Sequence, residues 1–71
     1  MERTPVQSSN LASVGYDEAT ATLEVEFQGS GVYQYFGVAA FVFEGLMSAG
    51  SKGSYFDQHV RRAGYPYHRV G

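Results

Sequence analysis

The chain contains no cysteine and no tryptophan, only two prolines, and only five basic residues among 71. Without cysteine there is no disulfide, no thiolate metal ligand and no thiol nucleophile. No apolar run approaches the ~20 residues that a membrane-crossing helix requires. No leader-like segment precedes the first patterned stretch, so the chain is expected to be cytoplasmic, with no membrane partner. The strand–glycine loop–helix spacing of a nucleotide-binding fold is missing, and Ser8-Ser9 has no acid–base partner close by in sequence. No catalytic residue and no cofactor are therefore assigned, and the chain is expected not to be an enzyme. His59 and His68 lie nine positions apart, and Asp57 precedes His59 by two, a spacing that puts the pair on different helix faces. No metal site is expected.

What is present is apolar and aromatic: six tyrosines and five phenylalanines in a chain long enough for one domain. A core of this size supplies only ~3–5 kcal/mol of net stability, so nearly every large apolar side chain is needed. Charge is unevenly spread. Residues 1–50 carry one basic against six acidic residues, net −5, and residues 51–71 carry four basic against one acidic, net +3. A basic end on an acidic body is a candidate anion-binding surface, although a solvated helix face would read the same way.

Residues 1–7 are polar, contain Pro5 and show no periodicity, so a flexible N-terminus is expected ahead of a single domain over residues 8–70. Ser8-Ser9-Asn10 can bond locally to backbone and lead into a strand over residues 11–16. Residues 17–20 read as a turn opened by Asp17. Residues 21–28 alternate, with Leu23, Val25 and Phe27 on one face and Thr22, Glu24 and Glu26 on the other. Gly29-Ser30-Gly31 suits a tight hairpin.

The third strand, residues 32–37, must choose a facing. With Tyr33 and Tyr35 inward, Gln34 sits in water at no cost, and Val32 and Phe36 fall on the outer face. The opposite choice buries an amide, at ~1–3 kcal/mol if unpaired. Tyrosines inward is the expected arrangement.

Residues 39–49 read as a helix, with Ala39, Val42, Phe43, Leu46 and Met47 as one stripe and Phe41 opposite it. A second helix is expected from an N-cap at Ser54, burying Phe56 and Val60, carrying Arg61 and Arg62 in its last turn and stopping at Gly64. Residues 65–70 should be extended, either docking Tyr67 on the body or adding to a sheet edge. The expected fold is α+β: a three-stranded antiparallel meander, two helices packed on one face, and an extended C-terminal tail. Its expected core is Val14, Tyr16, Leu23, Val25, Phe27, Tyr33, Tyr35, Val42, Phe43, Leu46, Met47, Phe56 and Val60.

Three stretches together resemble a known family: Val6-Gln7-Ser8-Ser9-Asn10-Leu11 with Gly15-Tyr16-Asp17, the central Tyr33-Gln34-Tyr35-Phe36-Gly37-Val38, and Ala49-Gly50-Ser51-Lys52-Gly53-Ser54-Tyr55-Phe56 running into Val60-Arg61 and Tyr65-Pro66-Tyr67. The chain is similar, over about residues 6–70, to the KTSC domain, which takes its name from the C-terminus of some lysyl-tRNA synthetases and also occurs as small free-standing bacterial proteins. Ala39 departs from the proline that many members carry. The resemblance implies no catalytic residues; from its synthetase context it suggests RNA.

The residues themselves offer two partners. RNA would use the basic end: Lys52, Gly53 and Ser54, with the N–H groups of residues 53–55 on a phosphate, together with Arg61, Arg62 and Arg69 and stacking by Tyr65, Tyr67 or His68. Glu24 and Glu26 would keep RNA off the outer sheet face. The alternative is another protein, or a second copy of the chain, docking on exposed Val32, Phe36 and Phe41.

Overall fold

The computed structural model describes residues 1–71 and contains a five-stranded antiparallel sheet in the order β1-β2-β3-β4-β5. The strands are β1 (Thr4–Pro5), β2 (Leu11–Asp17), β3 (Thr22–Phe27), β4 (Gly31–Phe36) and β5 (Tyr67–Arg69). Helix α1 (Ala40–Ser48) and helix α2 (Lys52–Phe56) lie between β4 and β5, and one π-helical turn, Asp57–Arg61, extends α2. The α+β class and the two helices match the sequence expectation. The strand count does not, because a short strand was added at each edge.

The two extra strands have a common cause. They are two and three residues long, too short to show alternation, and each becomes a strand only by pairing with a neighbour. Thr4 pairs with Val14 and Pro5 with Ser13, within the segment expected to be flexible. Proline is tolerated there because β1 is an edge strand. At the opposite edge Tyr67, His68 and Arg69 pair with Tyr35, Gln34 and Tyr33. Backbone bonds Phe36 N–H to Pro66 O (2.9 Å) and Val70 N–H to Val32 O (2.8 Å) extend that attachment on both sides.

Between the helices and the sheet lie Leu11, Val14, Leu23, Val25, Tyr35, Val38, Val42, Leu46, Phe56 and Val60. Leu11 and Val38 are fully buried yet fell outside the expected core. Leu11 was hidden by a β-bulge: the register shifts between Leu11 and Ser13, so Leu11 and Val14, three apart, face the same side. Strict alternation would have put Leu11 outside. Tyr16, Phe27, Tyr33, Phe43 and Met47, all expected inside, are partly buried and pack around the rim. Tyr16 stacks on Phe43 with centroids 5.3 Å apart, and its hydroxyl donates to Val38 O. Burial, and then the charges of Glu18, Asp17 and Glu44, raise its phenol pKa.

The start of α2 also differs. Its N-cap is Ser51, whose hydroxyl accepts from Ser54 N–H (3.4 Å), whereas Ser54 had been expected to cap. The π turn then adds one residue per turn, and Arg62 N–H bonds to Asp57 O (3.0 Å). Arg62 thereby reaches the carboxylate that Arg61 also meets: Arg61 Nε lies 3.4 Å from Asp57 Oδ1 and Arg62 Nε 3.1 Å from Oδ2.

Gly45 in the middle of α1 has a packing reason. A Cβ there would run into the ring and hydroxyl of Tyr55. Gly45→Ala is expected to cost about 1–3 kcal/mol through overpacking, although alanine is worth ~1 kcal/mol more than glycine in an open helix. With Tyr55→Ala in place, the same substitution should become stabilising. Denaturant titration of the four proteins measures both signs, and stabilisation by Gly45→Ala alone would contradict this packing.

The outer face of the sheet is polar, and one of its carboxylates is buried. Glu24 is 5% exposed. Arg3, arriving on the N-terminal segment, forms an ion pair with it and also bonds Ser13 Oγ (2.9 Å), while Gln34 Nε2 donates to Glu24 Oε1 (2.8 Å). Ser13 in turn donates to Glu26 (2.8 Å). The N-terminal segment crosses here because residue 15 is glycine: a Cβ at Gly15 would strike Glu2 O and Arg3 Cγ. Burial pushes the Glu24 carboxyl up, but the Gln34 and Arg3 hydrogen bonds and the Arg3 charge outweigh it, leaving the pKa below the ordinary 4.5.

Candidate functional site

Two recesses adjoin at Arg61, which lines both. The first is an aromatic cleft of about 510 Å³ between the sheet and α2, bounded by Phe27, Tyr33, Tyr35, Phe56, Tyr65 and Tyr67. The alternation of β3 and β4 positions its sheet side. Val25 pairs with Tyr33 and Leu23 with Tyr35, so the tyrosines share the helix-facing side with the aliphatic core. Its floor is built from edge-to-face rings: Phe27–Phe56 at 5.3 Å, Tyr35–Phe56 at 5.4 Å and Phe27–Tyr33 at 5.7 Å. Tyr67, delivered by β5, tilts over Tyr35 (5.6 Å) and Tyr33 (6.2 Å) and is 65% exposed.

Tyr35 is 8% exposed, as the inward facing requires, but Tyr33 is only half-buried and opens onto the cleft. Arg69, paired with Tyr33, holds its guanidinium 6.0 Å from the centre of that ring. Burial raises the Tyr35 phenol pKa; the Arg61 charge works against this, and Tyr67 and Tyr33 add to it. Tyr35 is thus a protonated hydrogen-bond donor at neutral pH.

The second recess is a polar groove of about 540 Å³ where Gln7–Asn10 meets Gly50–Ser54, and none of its twelve lining residues is hydrophobic. Ser8 Oγ accepts from the backbone N–H groups of Asn10 and Leu11 (3.2 Å each) and shapes the turn. Ser9 donates to Asn10 Oδ1 (2.8 Å), and Asn10 lies against Gly53. Lys52 Nζ donates to Ala49 O (3.0 Å), and Asp57 brings a carboxylate into the same groove.

The structure divides the expected site residues. Lys52, Gly53, Ser54 and Arg61 line the groove; Arg61, Tyr65 and Tyr67 line the cleft; Arg69 flanks it. Arg62 lines neither recess and is exposed against Asp57. His68 pairs with Gln34, on the opposite face of the sheet from Tyr67 and Arg69. The amides expected to hold a phosphate are partly used: Ser54 N–H bonds Ser51 Oγ, and Tyr55 N–H bonds Ser51 O (3.1 Å). Of the residues offered for protein docking, Phe41 is 73% exposed on α1, and Val32 and Phe36 are half-buried on the outer sheet face.

Missed from sequence were Ser8, Ser9, Asn10, Asp57 and Gln58 in the groove, and Phe27, Tyr33, Tyr35 and Phe56 in the cleft. A signal did exist for the groove. Gln7–Asn10 and Gly50–Ser54 are two stretches without an apolar residue, each beside a patterned element.

The architecture defines a small α+β domain, a twisted meander covered by helices on one face, with an open aromatic cleft at its C-terminal edge. The chain belongs to the KTSC domain family, whose model matches residues 7–65. A KTSC domain protein from Yersinia pestis superposes with a TM-score of 0.91 at 40% identity, covering 99% of this chain and 97% of that one. An uncharacterized protein of Stutzerimonas stutzeri is 40% identical over 70 residues, 99% of each chain. A lysine–tRNA ligase of Nostoc punctiforme is 36% identical over 55 residues, 78% of this chain but 10% of that enzyme. No helix is long and apolar enough to cross a membrane.

Proposed function

We propose that the chain is a non-enzymatic, cytoplasmic binding module for single-stranded RNA. The observation that carries this reading is the position of Arg61 on the shared border of an aromatic cleft and a polar groove. Stacking surfaces beside a cation are what an unstacked base and its phosphate require. Match to a segment of an enzyme named for tRNA adds support from context. The net charge of −2 argues against long-range attraction, so affinity must come from local stacking. The Arg3–Glu24 pair removes one carboxylate from the outer face, but the cleft lies on the other side of the sheet and does not depend on it.

The test is fluorescence anisotropy with a labelled oligouridine. With Arg61 and Arg69 each neutralising a phosphate, log K should fall with log salt at a slope of about −1.4. Tyr67→Ala should weaken binding by about five- to a hundredfold, since stacking on an aromatic is worth ~1–3 kcal/mol per base. Because Tyr67 is largely exposed, its melting temperature should barely move. RNA affinity unchanged by Arg61→Glu with Arg62→Glu would end the proposal. The second reading, protein docking or self-association, draws on the exposure of Phe41. Sedimentation separates the two, because only that reading expects a concentration-dependent dimer lost on Phe41→Ser.

A further inference from the structure

We infer that the polar groove reads the ribose, so that the module prefers RNA to DNA of the same sequence. This rests on the proposed RNA reading and assigns the groove a role distinct from the cleft's. The groove is poorly built for a phosphate. Inside it, Lys52 is held on Ala49 O (3.0 Å) and the Asp57 carboxylate would repel an anion, whereas Arg61 keeps 66% of its side chain exposed at the border, where a phosphate can meet it.

It is well built for a neutral hydroxyl. Ser9 donates to Asn10 Oδ1 (2.8 Å), so the exposed Asn10 side chain, which lines the groove, keeps its amide N–H groups for a ligand. The Ser54 hydroxyl and the Gln58 amide, each able to donate and accept, line the groove beside the Asp57 carboxylate. A ribose 2′-hydroxyl is at once a donor and an acceptor, and it is the group that separates RNA from DNA at a given site. The placement fits as well. Arg61 borders both recesses, so a base in the cleft with its phosphate at Arg61 carries its own sugar toward the groove.

Matched oligouridine, oligodeoxyuridine and 2′-O-methyl oligouridine are titrated against the wild-type chain, Asn10→Ala and Ser54→Ala. Both substituted side chains are exposed, so the fold should persist, and thermal melting verifies it. One or two hydrogen bonds correspond to a preference for RNA of about three- to tenfold. That preference should fall toward one in both variants, through weaker RNA binding at unchanged DNA binding. A purely structural defect would instead weaken the two oligonucleotides together. Equal affinity of the wild-type chain for RNA and DNA would overturn the ribose inference while leaving the cleft reading intact. A preference that survives both substitutions would remove it from the groove. Binding of none of the three would overturn the cleft reading and this inference with it.

Discussion

Arg3→Ala should lower the stability of the domain by about 2–3 kcal/mol, a large share of the ~3–5 kcal/mol available to a core this small. The reason is the carboxylate left behind. Glu24 is 5% exposed, and Arg3 is the cation that forms an ion pair with it, with the more distant N-terminal amino group adding a weaker attraction. Removing one member of a buried ion pair strands the other charge in a medium that solvates it poorly. Arg3 keeps 28% of its side chain exposed, so water can partly replace it, which sets the estimate below the ~3–5 kcal/mol of a fully enclosed pair. For a domain of this length the loss corresponds to roughly 8–24 °C in melting temperature.

Adding Glu24→Gln to Arg3→Ala should recover much of the loss, because an amide needs no counter-charge and can still bond Gln34. The pair also sets an acid limit. The folded-state pKa of Glu24 lies below the unfolded 4.5, so its contribution is complete above 4.5 and disappears as pH falls through the lower folded value. Urea titrations across that range should show a steeper acid loss in the wild-type chain than in Arg3→Ala. An Arg3→Ala protein with wild-type melting temperature would show that Glu24 is solvated without its partner.

Phe56→Ala should leave the chain largely unfolded at 25 °C. Phe56 is 3% exposed and meets Phe27 and Tyr35 edge-to-face at 5.3 and 5.4 Å, so it joins α2 to β3 and β4. Truncating a buried phenylalanine costs about 3–5 kcal/mol, equal to the whole net stability expected here. Far-UV circular dichroism with amide-proton dispersion gives the answer. Phe56→Leu, which keeps most of the volume, should fold with a lower melting temperature and a looser cleft floor. A cooperative melt of Phe56→Ala within a few degrees of wild type would mean that the aromatic cluster is not what holds the helix to the sheet.

The fold and the cleft share material, because the rings that line the cleft also form part of the core. Phe27 and Tyr35 pack on Phe56, Tyr33 packs on Phe27, and Tyr33 and Tyr35 together accept Tyr67 from β5. A small domain has too few aromatics to keep separate sets for packing and recognition. Read along the chain, Tyr33 and Tyr35 therefore looked like core alone, and the cleft went unassigned.

Residues 22–36 were legible in sequence because the alternation of β3 fixes the facing of Leu23 and Val25, and the cost of burying Gln34 turns Tyr35 inward beyond the glycine hairpin. Helix α1 was legible because its stripe recurs at helical spacing, and the α+β class followed from the two. The basic end was legible as composition. Tertiary structure decided what depends on partners distant in sequence. A bulge turned Leu11 inward, a returning tail became β5 and carried His68 to the far face, and Arg3 crossed the sheet over Gly15 to neutralise Glu24. A π turn set both Arg61 and Arg62 against Asp57 and brought Arg61 to the border of two recesses. Periodicity reports how a residue faces relative to its chain neighbours; it carries no information about which remote segment will come to lie against that face.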